Sequence, residues 1–158
     1  MGTLSTQKFM EIALEESSLA AKRGEVPVGC VVVDSRSEQI LSRSSNRIEE
    51  LKDVTAHAEI LALREASKVF AEAKLVNCDL YVTLEPCAMC AAAISMARIR
   101  RLYFGAADIK SGGVENGPCF FSQPTCHHRP EVYGGINESS AKRVLQAFFK
   151  ARRKKSFK

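Results

Sequence analysis

The sequence predicts an α/β fold in which helices cover both faces of a sheet. Two observations carry this prediction. Amphipathic segments alternate with short runs rich in Val, Leu and Tyr along the 158 residues, and that order is typical of layered α/β proteins. A short polar turn joins the first two strand-like runs, which indicates a hairpin leading a largely parallel sheet. No repeat or composition break divides the chain, so we expect one domain over residues 1–158 that ends in a basic helix.

The predicted elements follow one another with short connections. A helix is expected over about 6–23, where apolar residues recur at helical spacing. Strands are expected at "VPVGCVVVD", "QILSRSSN", "CDLYVTL" and "IRRLYFGA", with a short fifth strand at "PEVYGG". A second helix should cover "TAHAEILALREA" with Thr55 as its cap. A third should run from Pro86 to about Ala97, and a last one should begin after Asn137.

Residues 107–130 are rich in Gly, Pro, Ser and Asn and form the one long irregular segment. Long loops in compact domains usually carry function or move. Cys126, His127 and His128 within it raise the question of a second metal site, but adjacent histidines in a loop more often bind no metal. We therefore expect a functional or mobile loop there, without a metal.

From the sequence we expect neither a membrane helix nor a leader. Its apolar runs fall short of the roughly 18 to 20 residues that a membrane span requires. The N-terminal residues lack the basic start and apolar core of a signal peptide. We expect a cytoplasmic protein with no membrane contact, in which the six cysteines are reduced. Cys30 and Cys78, which lie in or beside strand-like runs, are interpreted as packing residues.

The formal net charge of +5 is concentrated at one end of the chain. Residues 141–158 carry eight basic side chains and no acidic ones, which leaves 15 basic against 18 acidic residues, a net −3, elsewhere. Such a block favours a polyanionic partner, and nucleic acid is the usual one. The alternative is a solvated helix end whose cations complement the helix dipole.

One histidine and two cysteines supply three metal ligands. Cys87 and Cys90 stand three apart at a helix start, where both sulfurs face one side and the helix dipole favours thiolates. His57 lies at the start of the preceding helix. If the two strands before these helices are neighbours in the sheet, both helix starts open at the same edge and the ligands converge.

Three protein ligands predict a catalytic zinc, because a structural site closes with a fourth Cys or His. The open position holds water, whose pKa zinc lowers to about 7. Glu59, two residues after His57, can lean over the open helix end and move that water's proton to a substrate nitrogen.

Two rival hypotheses remain for these residues. An enzyme that applies the same zinc chemistry to a free base or nucleoside, of the guanine or cytosine type, would give the basic end no role. A non-catalytic nucleic-acid-binding module with structural zinc would need Cys119 or Cys126 as a fourth ligand and would leave Glu59 unexplained.

The motifs "HAE" and "PCAMC" resemble the H-x-E and P-C-x-x-C signature of the zinc deaminase superfamily. Around them, "VPVGCVVV", "TAHAEILAL", "LYVTLEPCAMCAAAI", "RLYFGAADIKSG" and "FFKARR" are similar to bacterial tRNA-specific adenosine deaminases, over about 26–153. Those enzymes convert the wobble adenosine of an arginine tRNA to inosine. The resemblance implies a cytidine deaminase-like fold, a three-layer α-β-α sandwich with a mixed five-stranded sheet, and a homodimer.

The resemblance also assigns roles to individual residues. It makes His57, Cys87 and Cys90 the ligands of one Zn²⁺ per subunit. Glu59 becomes the catalytic proton shuttle, which protonates N1 of adenine while zinc-activated hydroxide attacks C6. The substrate-binding residues that it implies are Val28, Asn46, the backbone near Ala58, and Asp108. At position 48, where the family often has proline, this chain has isoleucine.

The expected partner is a tRNA anticodon stem-loop. Because C6 of adenine is inaccessible in a stacked helix, the nucleotide should be splayed out of a single-stranded loop into the pocket. Phosphate contacts from the basic end would position the stem-loop, while two phenylalanines there either pack on the core or meet a base. The expected RNA-binding residues are Lys110, Phe148, Phe149, Arg152, Arg153 and Lys154.

Overall fold

The computed structural model describes residues 2–155, with side chains from residue 4 onwards. In this part of the chain five strands form one sheet in the order β2-β1-β3-β4-β5. Their bounds are β1 Gly29–Asp34, β2 Gln39–Ser45, β3 Cys78–Leu84, β4 Arg101–Ala106 and β5 Glu131–Tyr133. The hairpin of β1 and β2 is antiparallel, as predicted.

The sheet is mixed: four strands run in one direction, as expected for a largely parallel sheet led by a hairpin, and β1 runs against them. Strand β1 runs antiparallel to both β2 and β3, whereas β4 is parallel to β3 and to β5. The hairpin inserts its first strand into the middle of the sheet, a placement that periodicity does not reveal. The mixed arrangement implied by the family resemblance is confirmed.

Helices cover both faces of the sheet. Their bounds are α1 Gly2–Lys22, α2 Ile48–Leu51, α3 Ala58–Phe70, α4 Ala88–Met96 and α5 Glu138–Lys155. Helices α1 and α5 contact each other on one face, and α3 and α4 contact each other on the opposite face. The sequence did not predict α2, because four residues are too few to show a helical period. Lys158, part of the basic end, lies outside the described residues.

The side chains on the two faces of β1 belong to two separate hydrophobic cores. Cys30 and Val32 pack beneath α3 and α4, while Val31 and Val33 pack beneath α1, as the alternation of a strand requires. Cys78, like Cys30, is fully buried, which agrees with its interpretation as a packing residue. The long segment 107–130 is irregular except for a 3₁₀ turn at Phe120–Ser122.

The start of α3 differs from the prediction. The cap is His57, not Thr55, and the helix begins at Ala58. The Thr55 hydroxyl instead donates to Asp53 Oδ1 at 2.7 Å, which ties this side chain to the preceding segment rather than to the N–H groups of the helix. Helix α4 likewise begins after a capping residue, Cys87, rather than at Pro86.

The starts of α3 and α4 lie close together, although the strands that precede them are not neighbours in the sheet, which the prediction from the sequence had assumed. Strands β2 and β3 precede α3 and α4 but are not neighbours, because β1 lies between them. Since β1 is antiparallel to both, β2 and β3 run in the same direction and end at the same edge. The helices that follow them therefore start side by side on one face of the sheet.

None of the helices within residues 2–155 combines the length and the apolarity that crossing a bilayer would require.

Candidate active site

His57, Cys87 and Cys90 meet where α3 and α4 begin. His57 Nδ1 lies 3.7 Å from Cys87 Sγ and 3.6 Å from Cys90 Sγ, and the three ligand atoms all lie within 4.8 Å of one another. A tetrahedral zinc with Zn–N of about 2.05 Å and Zn–S of about 2.3 Å places its nitrogen and sulfur ligands about 3.6 Å apart. The observed separations fit that geometry, and one nitrogen with two sulfurs is a donor set that zinc prefers.

The local backbone explains why these side chains face each other. His57 and Cys87 are extended residues at the two caps, with φ and ψ of −73° and 151° and of −70° and 174°. Their side chains therefore leave the helix ends instead of following the helix surface. Cys90 lies in the first turn of α4 and is fully buried. Each helix thus presents its ligands at its positive end, where thiolates are favoured.

Electrostatics in the triad already favours a thiolate. A hydrogen bond from Cys90 and a second from His57 hold the pKa of Cys87 at about 4. The hydrogen bond to Cys87 also raises the pKa of His57. The lowered pKa favours the thiolate form of Cys87, which is the form in which a cysteine would hold zinc.

Glu59 lies beside this triad in the first turn of α3. It is only 4% exposed, and it lines the same pocket as His57 and Cys87. Burial raises the pKa of its carboxyl group above the ordinary range. A carboxyl group with a raised pKa, close to a metal that activates water, has the placement expected of a group that accepts and returns a proton.

The pocket in front of the triad has a volume of about 200 Å³. Pockets for drug-sized ligands measure roughly 300 to 1,000 Å³, so this smaller space suits a single planar base. Its wall also contains four apolar side chains that can pack on a ring, namely Val26, Val28, Ile48 and Leu84.

Asn46 lines the pocket with a fixed orientation. Its Oδ1 accepts the Ala58 N–H at 2.8 Å, and both residues are buried. Because the oxygen faces the start of α3, the NH₂ group of Asn46 is the end available to a ligand. Ala58 contributes to the site through this backbone hydrogen bond, and Asp108 also lines the pocket.

Two buried carboxylates that the sequence did not indicate hold the pocket walls. Glu25 accepts the N–H groups of Glu49 and Glu50, each at 3.0 Å, and so fixes the segment that contains Ile48. Glu85 accepts hydrogen bonds from the loop that contains Asp108. These contacts join residues that are 23 to 31 positions apart in the chain, so local sequence patterns do not predict them.

A groove of about 660 Å³ adjoins the pocket. Lys110 from the long loop and Phe149 and Arg153 from α5 line it.

Arg152 and Phe148 contact other parts of the chain. The Arg152 guanidinium lies 4.8 Å from the centre of the Phe148 ring and also donates to the Gly24 carbonyl at 3.1 Å. Lys154 is exposed near the end of the same helix.

The remaining histidine and cysteine candidates make contacts within the chain. His128 Nε2 lies 2.7 Å from the Ile99 carbonyl oxygen, and Cys126 Sγ lies 3.2 Å from the carbonyl oxygen of His128. Cys119 Sγ approaches the Glu115 carbonyl. Across residues 4–155, the side chains close enough to share a metal are the three of the triad. The rival with a structural zinc therefore finds no fourth ligand in this part of the chain.

The sequence profile of the cytidine and deoxycytidylate deaminase zinc-binding region matches residues 4–106. The chain belongs to this family of zinc-binding deaminases, and zinc is its metal. Its relatives include the tRNA-specific adenosine deaminase of Agrobacterium fabrum, 57% identical over 146 residues that cover 92% of this chain and 94% of that protein. The protein of the same name from Rickettsia bellii is 45% identical over 89% of this chain and 97% of its own length.

Solved structures agree with the assignment of the chain to this family. A tRNA:A34 deaminase, which performs A-to-I editing at the wobble position of transfer RNA, superposes with a TM-score of 0.85 at 56% identity, covering 87% of this chain and 99% of that one. The guanine deaminase of Nitrosomonas europaea has a TM-score of 0.79 at 22% identity, covering 90% and 83%, a likeness of fold alone. The predicted resemblance and the three-layer fold are confirmed.

Proposed function

We propose that this protein hydrolyses the wobble adenosine of a tRNA to inosine. One water is consumed and one ammonia is released for each adenosine. The observation that carries the proposal is the continuity between the catalytic pocket and the groove beside α5. Val26, Leu84, Asp108 and Ser111 line both spaces. A base in the pocket therefore has its neighbouring nucleotides along a surface that ends in basic side chains.

The three ligands hold one zinc per subunit in this proposal. Zinc, when bound, lowers the pKa of a water molecule so that hydroxide is available at neutral pH. Glu59 would take a proton from the attacking water and deliver it to N1 of adenine as the new C6–O bond forms. Glu59 would then take the proton of the C6 hydroxyl and pass it to the amino group, so that the C6–N bond breaks, ammonia leaves, the C6 carbonyl of inosine forms and the carboxylate is regenerated.

The remaining pocket residues orient the base. The NH₂ group of Asn46 donates to an acceptor nitrogen of the purine ring, because its oxygen is bonded to Ala58. Val28 packs on the ring face. Asp108, at the junction of pocket and groove, contacts the ribose or the adjoining nucleotide. Together these contacts hold C6 against the metal.

The groove and α5 hold the anticodon stem-loop. Lys110 and Arg153 line the groove and neutralise phosphates, and the half-exposed ring of Phe149 offers a surface on which a base stacks. Arg152 and Phe148 support this surface through their own stacked pair, and Lys154 adds charge at the helix end.

The substrate is an arginine tRNA, as the family resemblance implies. The protein works in the cytoplasm as one domain.

The active species is a homodimer. The outer surfaces of α3 and α4 form an open apolar surface that includes Ile60, Ala93 and Met96, and Met96 is 74% exposed. A second subunit would bury this surface. Sedimentation of the purified protein should give twice the monomer mass, and Met96→Asp should shift it to the monomer. A monomeric wild type at micromolar concentration would contradict the dimer.

The substrate class is tested by comparing RNA with small molecules. The zinc-loaded protein is incubated with an arginine-tRNA anticodon stem-loop carrying the wobble adenosine, and separately with free adenosine, guanine and cytidine. Inosine from the stem-loop, with no turnover of the small compounds, is the expected result. Turnover of a free base or nucleoside with an unchanged stem-loop would keep the zinc chemistry but assign the protein to the deaminases of small substrates.

A further inference from the structure

Glu85 is a buried carboxylate for which the reaction itself has no use. It follows β3 directly and precedes Pro86 and the ligand Cys87 by one and two residues. It is 2% exposed, and it forms part of the pocket wall. A carboxylate in such a place is costly unless its charge is compensated.

Five hydrogen bonds compensate this charge, and all of them come from one loop. Glu85 Oε1 accepts the Asp108 N–H at 3.1 Å and the Asn116 side-chain amide at 2.7 Å. Glu85 Oε2 accepts the N–H groups of Val114, Glu115 and Asn116 at 3.1, 3.0 and 3.1 Å.

The loop packs closely against Glu85 and the start of α4 at two glycines. A Cβ at Gly112 would overlap Glu85 Oε2, and a Cβ at Gly113 would overlap the backbone of Ala88 at the start of α4. The Gly113 N–H also donates to the Pro86 carbonyl at 2.8 Å. The loop is therefore held against the segment that contains the metal ligands.

We propose that Glu85 is a positioning residue for the substrate, acting through Asp108. The hydrogen bonds of its carboxylate set the distance between Asp108, in the pocket wall, and the zinc ligand Cys87, which follows Glu85 by two residues. This inference rests on the proposed function, because it assigns Asp108 to the nucleotide. It adds a device that aligns a bound nucleotide with the metal.

Glutamine at position 85 tests the charge as well as the shape. Its side chain is nearly isosteric, but it presents an NH₂ group to N–H donors where the carboxylate has an acceptor. In the zinc-loaded Glu85→Gln protein, the amides of Val114, Glu115 and Asn116 should exchange with deuterium at least tenfold faster than in the wild type. Asp79→Asn is the matched control, a buried carboxylate on β3, the strand that Glu85 follows, and it pairs with Arg100 instead. It should leave exchange of these amides unchanged.

Kinetics of stem-loop deamination separates positioning from a general loss of stability. Glu85→Gln should retain the wild-type zinc content and lower kcat/KM at least tenfold, mainly by raising KM. In the Glu85→Gln background, Asp108→Ala should cost no more than about twofold further, since residues that act through one another are not additive. Asn116→Ala, which removes one donor to Glu85, provides a milder second variant with a smaller loss in the same direction.

The outcomes for this inference and for the proposed function are distinct. Unchanged exchange of the three amides in Glu85→Gln, or independent multiplication of the Glu85 and Asp108 effects, would overturn the positioning role. A wild-type protein that leaves the stem-loop unchanged would overturn the proposed substrate, while the exchange measurement would still decide whether Glu85 holds the loop.

Discussion

Among single residues, Glu59 is the one whose burial is hardest to explain by stability. A carboxylate at 4% exposure in the first turn of α3 gains from the helix dipole, but it loses more through desolvation. Burial accordingly raises its pKa. This position is understandable if the residue transfers protons beside a metal, where a raised pKa brings it closer to the working pH.

Replacing Glu59 with alanine should separate catalysis from metal binding. We expect the variant to keep its zinc, because the three ligands are unchanged, and to lose about 10²- to 10⁴-fold in deamination rate. Zinc content by elemental analysis and inosine formation from the stem-loop measure the two effects. Glu65→Ala, an exposed carboxylate on the same helix, is the control and should behave as the wild type. Activity within tenfold of the wild type in Glu59→Ala would remove the proton shuttle from the mechanism.

The cysteines offer a second contrast at the residue scale. Cys87→Ala should lose zinc and activity together, because two remaining ligands do not hold the metal. Cys119→Ser should lose neither, since its sulfur contacts a backbone carbonyl in the long loop. Elemental analysis of both purified variants, before and after dialysis against a chelator, gives the result. Loss of zinc from Cys119→Ser would revive the hypothesis of a structural metal with a fourth ligand.

At the scale of elements, the site is built from helix ends. His57 and Cys87 are capping residues, so the two ligands occupy positions where a helix leaves its first N–H groups without partners. Helices α3 and α4 start side by side because the antiparallel β1 separates two strands that run the same way. His57 and the cysteine pair, which are far apart in the sequence, therefore come together because the strand order places the starts of α3 and α4 at the same sheet edge.

Helix α5 makes a separate contribution, which its charges allow us to test. Arg153 lines the groove, whereas Lys142 pairs with Glu138 at the start of the helix, 2.8 Å away. Arg153→Ala should raise KM for the stem-loop without changing kcat, and it should reduce the slope of log affinity against log salt by about 0.7 to 0.9. Lys142→Ala, with the same loss of charge, should change neither. Equal effects of the two variants would mean that α5 acts only through its net charge.

Much of this structure is predictable from the sequence, because the signals involved are local. Helical spacing, the hairpin turn and the H-x-E and P-C-x-x-C motifs indicated the elements and the three ligands. The position of β1 between β2 and β3 was not predictable, since strand order depends on long-range pairing. The contacts of Glu25 and Glu85 were missed for the same reason, because their partners lie more than 20 positions away in the chain.

For the whole molecule, both faces of the sheet carry a core, and the site lies at one edge between helices of the two layers. The face beneath α1 has stacked aromatic rings, in which Tyr81 and Tyr103 lie 4.5 Å apart. The other face packs against α3 and α4, which hold the metal ligands. The pocket adjoins the groove beside α5. In the proposed function, this arrangement receives a base from a single-stranded loop, because a base stacked inside a duplex does not expose C6.

The central claim is that the pocket deaminates a wobble adenosine presented by a single-stranded loop. The most direct measurement maps inosine along an arginine-tRNA anticodon stem-loop after incubation with the zinc-loaded protein, and repeats this after a complementary strand has closed the loop into a duplex. We predict inosine at the wobble position alone, and its loss in the duplex. Inosine at other adenosines with equal yield, or an undiminished yield from the duplex, would contradict the account.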